Sequence, residues 1–235
     1  MKNVNKTLSI VFFGFTLLNT IACAKRASPT GGAKDSIPPV LINASPKLNT
    51  VSFDKKEITL TFDEFITLEK INKQLIISPP LESSKYKIYP VSGASKKVTL
   101  KLLDTLLKNT TYTFNFGKSI VDFNESNPNP YLTYTISTGK TIDSLYIKGR
   151  IIDAFEKKTK RFISLQMYPI DSVFNDSTIY TDKPLYVSSS LDTTIYKFQN
   201  LRAGKYTIIA LEDKTGNYFF DQNIDKIGYL DHIIT

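Results

Sequence analysis

Short alternations of apolar and polar residues, cut by turn formers, constrain this chain more than any other feature. In the run Glu57-Ile58-Thr59-Leu60-Thr61-Phe62 the side chains of Ile58, Leu60 and Phe62 share one face, because successive side chains of an extended backbone point to opposite sides. Period two marks a half-buried strand. Further candidates lie at residues 40–42, 74–78, 85–91, 98–102, 111–117 and 132–138, and Pro46, Pro79-Pro80, Pro90, Gly93 and the Asn-Pro-Asn-Pro run at 127–130 separate them. An amphipathic helix needs apolar residues three and four apart over ten or more positions; only residues 68–73 offer a turn or two of that pattern. Seven or so short strands at this spacing predict an antiparallel β-sandwich over residues 38–140.

The pattern then repeats at 145–152, 163–168, 195–201 and 205–211, which predicts a second sandwich over residues 141–235. Gly204, in the Arg202-Ala203-Gly204 link between the last two strands, is expected to supply the turn's backbone freedom. Residues 230–235 read as one more strand, within which the chain stops, so the second sandwich is taken as a short form or a fragment. The length suits two domains of roughly 100 residues each. Asp63-Glu64 is read as a polar strand end. As neighbours on a strand these two carboxylates point to opposite faces, so they do not form the convergent pair that glycoside hydrolysis requires.

The N-terminus is organised differently. Lys2 and Lys6 precede an apolar stretch over residues 8–18, and small or neutral residues lead to Ala22 and Cys23. The stretch is shorter than the roughly 20 apolar residues of a membrane span and fits a secretory signal over residues 1–22. Cys23 is the sole cysteine, which excludes a disulfide within the chain. Residues 28–39, SPTGGAKDSIPP, have no apolar period and read as an extended tether, with 23–37 leading into the first sandwich.

Several of these strings resemble known families. Thr20-Ile21-Ala22-Cys23 resembles the bacterial lipobox, with Thr20 where Leu is usual, and the resemblance implies a diacylglycerol on the Cys23 thiol and cleavage before it. PPVLINASPKLNTVSFDKKEITLTFDEFI and NTTYTFNFGKSIVDFNESNP resemble the bacterial Ig-like domains of S-layer proteins (the SbsA type). KGRIIDA followed by FQNLRAGKYTIIALED is similar to transthyretin-like, carboxypeptidase-regulatory and Cna-B sandwiches, where the module is a stalk or docking surface. Lipobox, PTGG tether and the LIISPP strand together look like a Bacteroidota group of Ig-like domain-containing lipoproteins. Such motifs specify fold far better than biochemical role.

Asp213, Thr215, Asn217, Asp221 and Asp225 space oxygen atoms partly like a calcium loop, although Tyr218 stands where an EF-hand has glycine and no Glu closes the loop. Asp213, Asn217, Asp221 and Asp225 are the metal candidates, and calcium is the cofactor left open; no other cofactor is expected. Asp122, Asn124, Glu125 and Asn127 also crowd oxygens into one turn, which turn chemistry explains equally well. His232, the lone histidine, has no nucleophile beside it in sequence from which a triad could be built. Asp-Ser-Ile at Asp35 and Asp-Ser-Leu at Asp143 resemble the acceptor motif for O-glycosylation of exported Bacteroidota proteins, making Ser36 and Ser144 the glycan candidates.

The formal charge is +8, and loss of Lys2 and Lys6 with the signal leaves +6. The basic residues alternate with apolar ones, as in Lys96-Lys97-Val98-Thr99-Leu100-Lys101, so they read as solvated strand faces and no nucleic-acid partner is expected. The expectation is a non-catalytic lipoprotein of the outer membrane, on its periplasmic or extracellular face. It would be a structural or interaction module for an envelope partner such as an outer-membrane β-barrel complex of assembly or export. A carbohydrate-binding accessory of a glycan-uptake system is the alternative, with exposed members of the 13 Tyr and 15 Phe stacking on sugars, although Trp is absent.

Overall fold

The computed structural model describes residues 32–130, 132–154, 162–190 and 194–235. The signal segment and Cys23 lie outside the described residues. Compactness divides the chain at Asp35 into Met1–Asp35 and Ser36–Thr235, and among the described residues the second unit is all-β apart from single helical turns.

Its first half pairs a five-stranded sheet with a three-stranded one. β1 (Leu41–Ser45), β2 (Glu57–Leu68), β5 (Ser95–Leu102) and β4 (Tyr86–Tyr89) lie in the order β1-β2-β5-β4, and β7 (Ile120–Asp122) joins the far half of β2. β3 (Ile76–Ser78), β6 (Thr111–Asn115) and β8 (Thr133–Ser137) form the other sheet in the order β3-β6-β8. Every strand pairing is antiparallel. After β1, residues 49–53 cross to the other sheet and run along β8, with Asn49 N–H on Thr135 O, Phe53 N–H on Ser137 O and a parallel bridge from Thr50 to Ile136. The turn of helix is α1 (Ile71–Gln74), overlapping the predicted 68–73.

The alternation works as expected here. Ile58, Leu60 and Phe62 are buried, with Val98 and Leu100 of β5 beside them and Tyr112, Phe114, Tyr134 and Ile136 facing them from the other sheet. β2 does not stop at Asp63-Glu64. It continues through a register shift between Thr61 and Ile66, and the main chain of Asp63 pairs with Val40 (N···O 3.1 Å).

In the second half, β11 (Tyr186–Ser189), β10 (Ser164–Pro169), β13 (Tyr206–Glu212) and β14 (Lys226–Tyr229) form a four-stranded sheet in that order, facing a two-stranded sheet of β12 (Ile195–Leu201) and β9 (Leu145–Arg150). The core between them holds Leu165, Met167, Tyr196, Phe198, Leu201 and Ile208. Gly149 lets the Tyr196 ring cross β9, since a Cβ there would stand 2.2 Å from Tyr196 Cζ.

Three expectations are corrected. β10 is buried on both faces, Gln166 and Tyr168 as fully as Leu165 and Met167 (all at most 1% exposed), so the strand is not half-buried. Residues 230–235 are not a strand but return as a single bridge from Ile234 to Tyr206. Gly204 does not take a left-handed turn conformation: its hydrogen faces Tyr206, where a Cβ would lie 2.9 Å from the hydroxyl oxygen, and the left-handed position belongs to Asn200 (φ 58°).

Candidate functional site

No catalytic constellation forms from the residues singled out in the sequence. Asp63 Oδ1 accepts from Val40 N–H at 2.8 Å. Asp122 is fully buried, and its oxygens accept from Asn124 N–H and Glu125 N–H, both at 2.9 Å. The Asn124 bond, then that from Glu125, hold its carboxyl below the ordinary carboxylate range against the opposing effect of burial. The Asp122 carboxylate thus closes its own turn. His232 is exposed and its Nδ1 lies 2.9 Å from Asp231 Oδ1.

The loop from β13 to β14 does bring Asp213, Thr215, Asn217, Asp221 and Asp225 together. Asp213 Oδ1 accepts from the backbone N–H groups of Thr215 and Gly216, and its Oδ2 from Tyr218 N–H. Asp225 accepts from Lys214 N–H and Asp221 N–H, and Asn217 Nδ2 donates to Asp221 at 3.3 Å. Tyr218, in the position where an EF-hand has glycine, adopts the left-handed conformation that glycine would (φ 66°), while burial pushes its phenol up to about 12. Backbone N–H groups therefore take several of the oxygens a cation would use. Among the described residues no group of three or more His, Cys, Asp or Glu side chains is placed to hold a metal ion.

Ser36 and Ser144 are both exposed on irregular backbone, open to an enzyme and a glycan. The aspartate before Ser144 is not open: Asp143 accepts from Thr111 Oγ1 at 2.9 Å and meets Arg202 Nε at 3.4 Å.

That aspartate belongs to the most elaborate arrangement in the molecule, the joint between the two sandwiches, which sequence reasoning missed. The outward face of β6 and β8 is polar yet closed over, with Thr111, Thr135 and Ser137 buried. β11 and β12 pack over β3 and β6. Val187 N–H donates to Ser78 Oγ (3.0 Å), and Asn200 Nδ2 donates to Thr113 Oγ1 (2.7 Å) and Thr135 Oγ1 (3.3 Å). Arg202 reaches Asp143 and the carbonyl of Asn109, and Lys183 reaches Glu82 at 3.4 Å. Tyr206, whose hydroxyl donates to Arg202 O, is pushed up to about 12 by burial first and by neighbouring Tyr186 next. Such a face buries hydroxyls at little cost because they are paired, Thr111 and Thr135 across the joint and Ser137 with Gly139 N–H. The matched Thr positions of β6 and β8 were visible in the sequence; their partner was not.

A cleft of about 470 Å³ opens beside this joint, lined by Asn72, Lys73, Leu75, Ser164, Ser188 and the Asp213 loop. A more apolar groove of about 410 Å³ lies among Ile151, Ile163, Ala210 and Ile227.

Residues 35–138 match a family described as the bacterial Ig-like domain. Over those residues the chain is similar to that family. Among solved structures it is similar to the N-terminal part of the bacterial S-layer protein SbsC, at 14% identity and a TM-score of 0.29, over 83% of this chain and 45% of that one. It is also similar to an I-band fragment from titin, at 17% identity and a TM-score of 0.24, over 75% of this chain and 61% of that one. The chain thus spans less than two thirds of either neighbour, and at these scores neither likeness bears on function. No curated protein matches it. An Ig-like fold is that of a structural or interaction module.

Proposed function

We propose that the chain is a non-catalytic outer-membrane lipoprotein, fastened through Cys23, whose two sandwiches act as one rigid spacer presenting edges and loops to an envelope protein. The partner class is an outer-membrane β-barrel complex. The observation that carries this reading is the joint: Ser78 with Val187, Thr113 and Thr135 with Asn200, Thr111 with Asp143 and the Asn109 carbonyl with Arg202 cross-connect the two halves, which suits holding a contact surface at a fixed distance and orientation. The candidate acids and the histidine each engage local partners, which supports a role without catalysis. The lone cysteine at the end of the apolar leader supports the anchor, since several buried acyl chains make attachment stable. The glycan reading needs a platform of exposed rings; Tyr112, Tyr134, Tyr168, Tyr186, Tyr196 and Tyr206 are buried, and the exposed Tyr89, Tyr146, Tyr180 and Tyr229 lie on four separate elements.

Intact-mass measurement of the native protein tests the anchor, and a free Cys23 thiol would end it. Crosslinking in membranes followed by detergent extraction tests the partner. Recovery of a membrane β-barrel protein is expected; recovery of lipid and uncrosslinked chain alone would overturn the interaction role.

A further inference from the structure

The first sandwich carries an apolar patch at the place where the tether meets the fold. Ile37 (66% exposed), Val40 (50%), Phe65 (53%) and Phe123 (49%) all face solvent. Backbone pairing gathers the last three. Val40 bonds to Asp63 through N–H to Oδ1 and O to N–H, and Phe123 N–H donates to Phe65 O at 3.0 Å. They fill the gap along β2 between its pairing with β1, which ends at Phe62, and its pairing with β7, which begins at Ile66. Scattered apolar side chains on a surface are ordinary, but a patch gathered on one face of a sheet by backbone pairing calls for a cover.

The polar groups around the patch have a consistent disposition. The Lys96 ammonium lies 5.5 Å from the Phe65 ring centroid and donates to Asp63 O at 2.8 Å. Asp63 Oδ1 is held by Val40 N–H, and Asp122 is buried under its own turn. The patch therefore presents rings and aliphatic groups with a lysine at their margin, while these two carboxylates are engaged. Rings at the headgroup level and a cation that can meet phosphate are what a bilayer interface accommodates.

We propose that this edge of the first sandwich rests on the lipid surface to which Cys23 is fastened, so that the lipid supplies attachment and Ile37, Val40, Phe65 and Phe123 set orientation. The proposal rests on the anchor reading above. Chain length argues for it: Ile37 is 14 residues from Cys23, so an acylated Cys23 keeps the patch within about 50 Å of the bilayer even when that stretch is fully extended. The patch is also the place at which the tether enters the fold.

The chain contains no Trp, so Phe65→Trp and Phe123→Trp each create a single reporter at an exposed position. Tyr229→Trp, 78% exposed in the second sandwich, is the control. The lipidated full chain is placed in phosphatidylethanolamine–phosphatidylglycerol vesicles with and without brominated acyl chains. Emission from Phe65→Trp and Phe123→Trp is expected to shift to the blue and to be quenched about twofold by brominated lipid, with Tyr229→Trp unchanged, as rings buried in the interface require. Unquenched emission from both reporters in a chain whose mass shows acylated Cys23 overturns this proposal and leaves the anchor standing. If the mass shows Cys23 free, the anchor reading fails and this proposal, which rests on it, fails with it. A blue shift that requires a co-purified protein, without quenching, assigns the edge to a protein partner and also overturns it.

Discussion

The two sandwiches keep their shape by different means. In the first, 17 buried apolar residues fill the space between a five-stranded and a three-stranded sheet, among the described residues. In the second, 8 lie between a four-stranded sheet and one of only two strands. The second makes up the shortfall outside its sandwich. The outer face of its large sheet is closed by excursions that bring Phe174 against Tyr168 and Phe220 against Tyr180, a residue of the turn α2 (Thr178–Thr181), with ring centroids 6.3 and 5.4 Å apart. Its remaining support is the polar joint onto β6 and β8. A small core is marginal alone, so the second sandwich should depend on the first more than the reverse.

Truncating equivalent rings tests that asymmetry most severely. Phe198→Ala and Phe114→Ala each remove a fully buried ring, at a cost of about 3–5 kcal/mol. Hydrogen exchange read by mass spectrometry should show Phe198→Ala opening β9 to β14 with β2 and β5 still protected. Phe114→Ala should open both halves, and independent opening in both variants would erase the contrast.

Gly149→Ala should cost about 1–3 kcal/mol by overpacking, because the new methyl meets Tyr196. Pairing it with Tyr196→Ala should cancel much of the clash, so that thermal melts show the double variant less destabilised than the two losses added.

At the joint, Ser78→Ala and Asn200→Gly each remove a bridging group at about 1 kcal/mol, and glycine keeps the left-handed backbone of Asn200. Together they should split one melting transition into two, the second sandwich melting first. A single unchanged transition would mean that the joint contributes nothing.

The smallest effect is seen only at alkaline pH. Burial pushes Tyr134 of the first sandwich and Tyr206 of the second up to about 12. Each then favours folding in its neutral form, a contribution fully present below the unfolded value near 10 and lost as pH rises from there towards 12. Absorbance at tyrosinate wavelengths should show a late-titrating group that coincides with alkaline unfolding. Titration of every tyrosine near 10 in the folded protein would remove the effect.

Much of this architecture was legible beforehand. Strands β1 to β6, β8 to β10, β12 and β13 all fall on runs of period two or short apolar runs, and Pro46, Pro79 and Pro90 end strands as expected. The misses were β7, β11 and β14, of three, four and four residues, too short to show a period. The site was less legible. The Asp213 loop and the Asp122 turn were found as oxygen clusters, but their backbone N–H partners are invisible in a list of side chains. None of the joint's polar bridges was anticipated, because Ser78 and Val187 are 109 positions apart.

By itself the sequence determined that this is an all-β chain, where most strands run and which of their faces hold Ile58, Leu60, Phe62, Phe114 and Phe198, because alternation is a property of the extended backbone and is written locally. Only the tertiary structure decided what covers the other faces. Gln166, Tyr168, Thr111 and Thr135 look like solvent-facing residues until distant loops and strands close over them, and burial depends on segments far away in the chain.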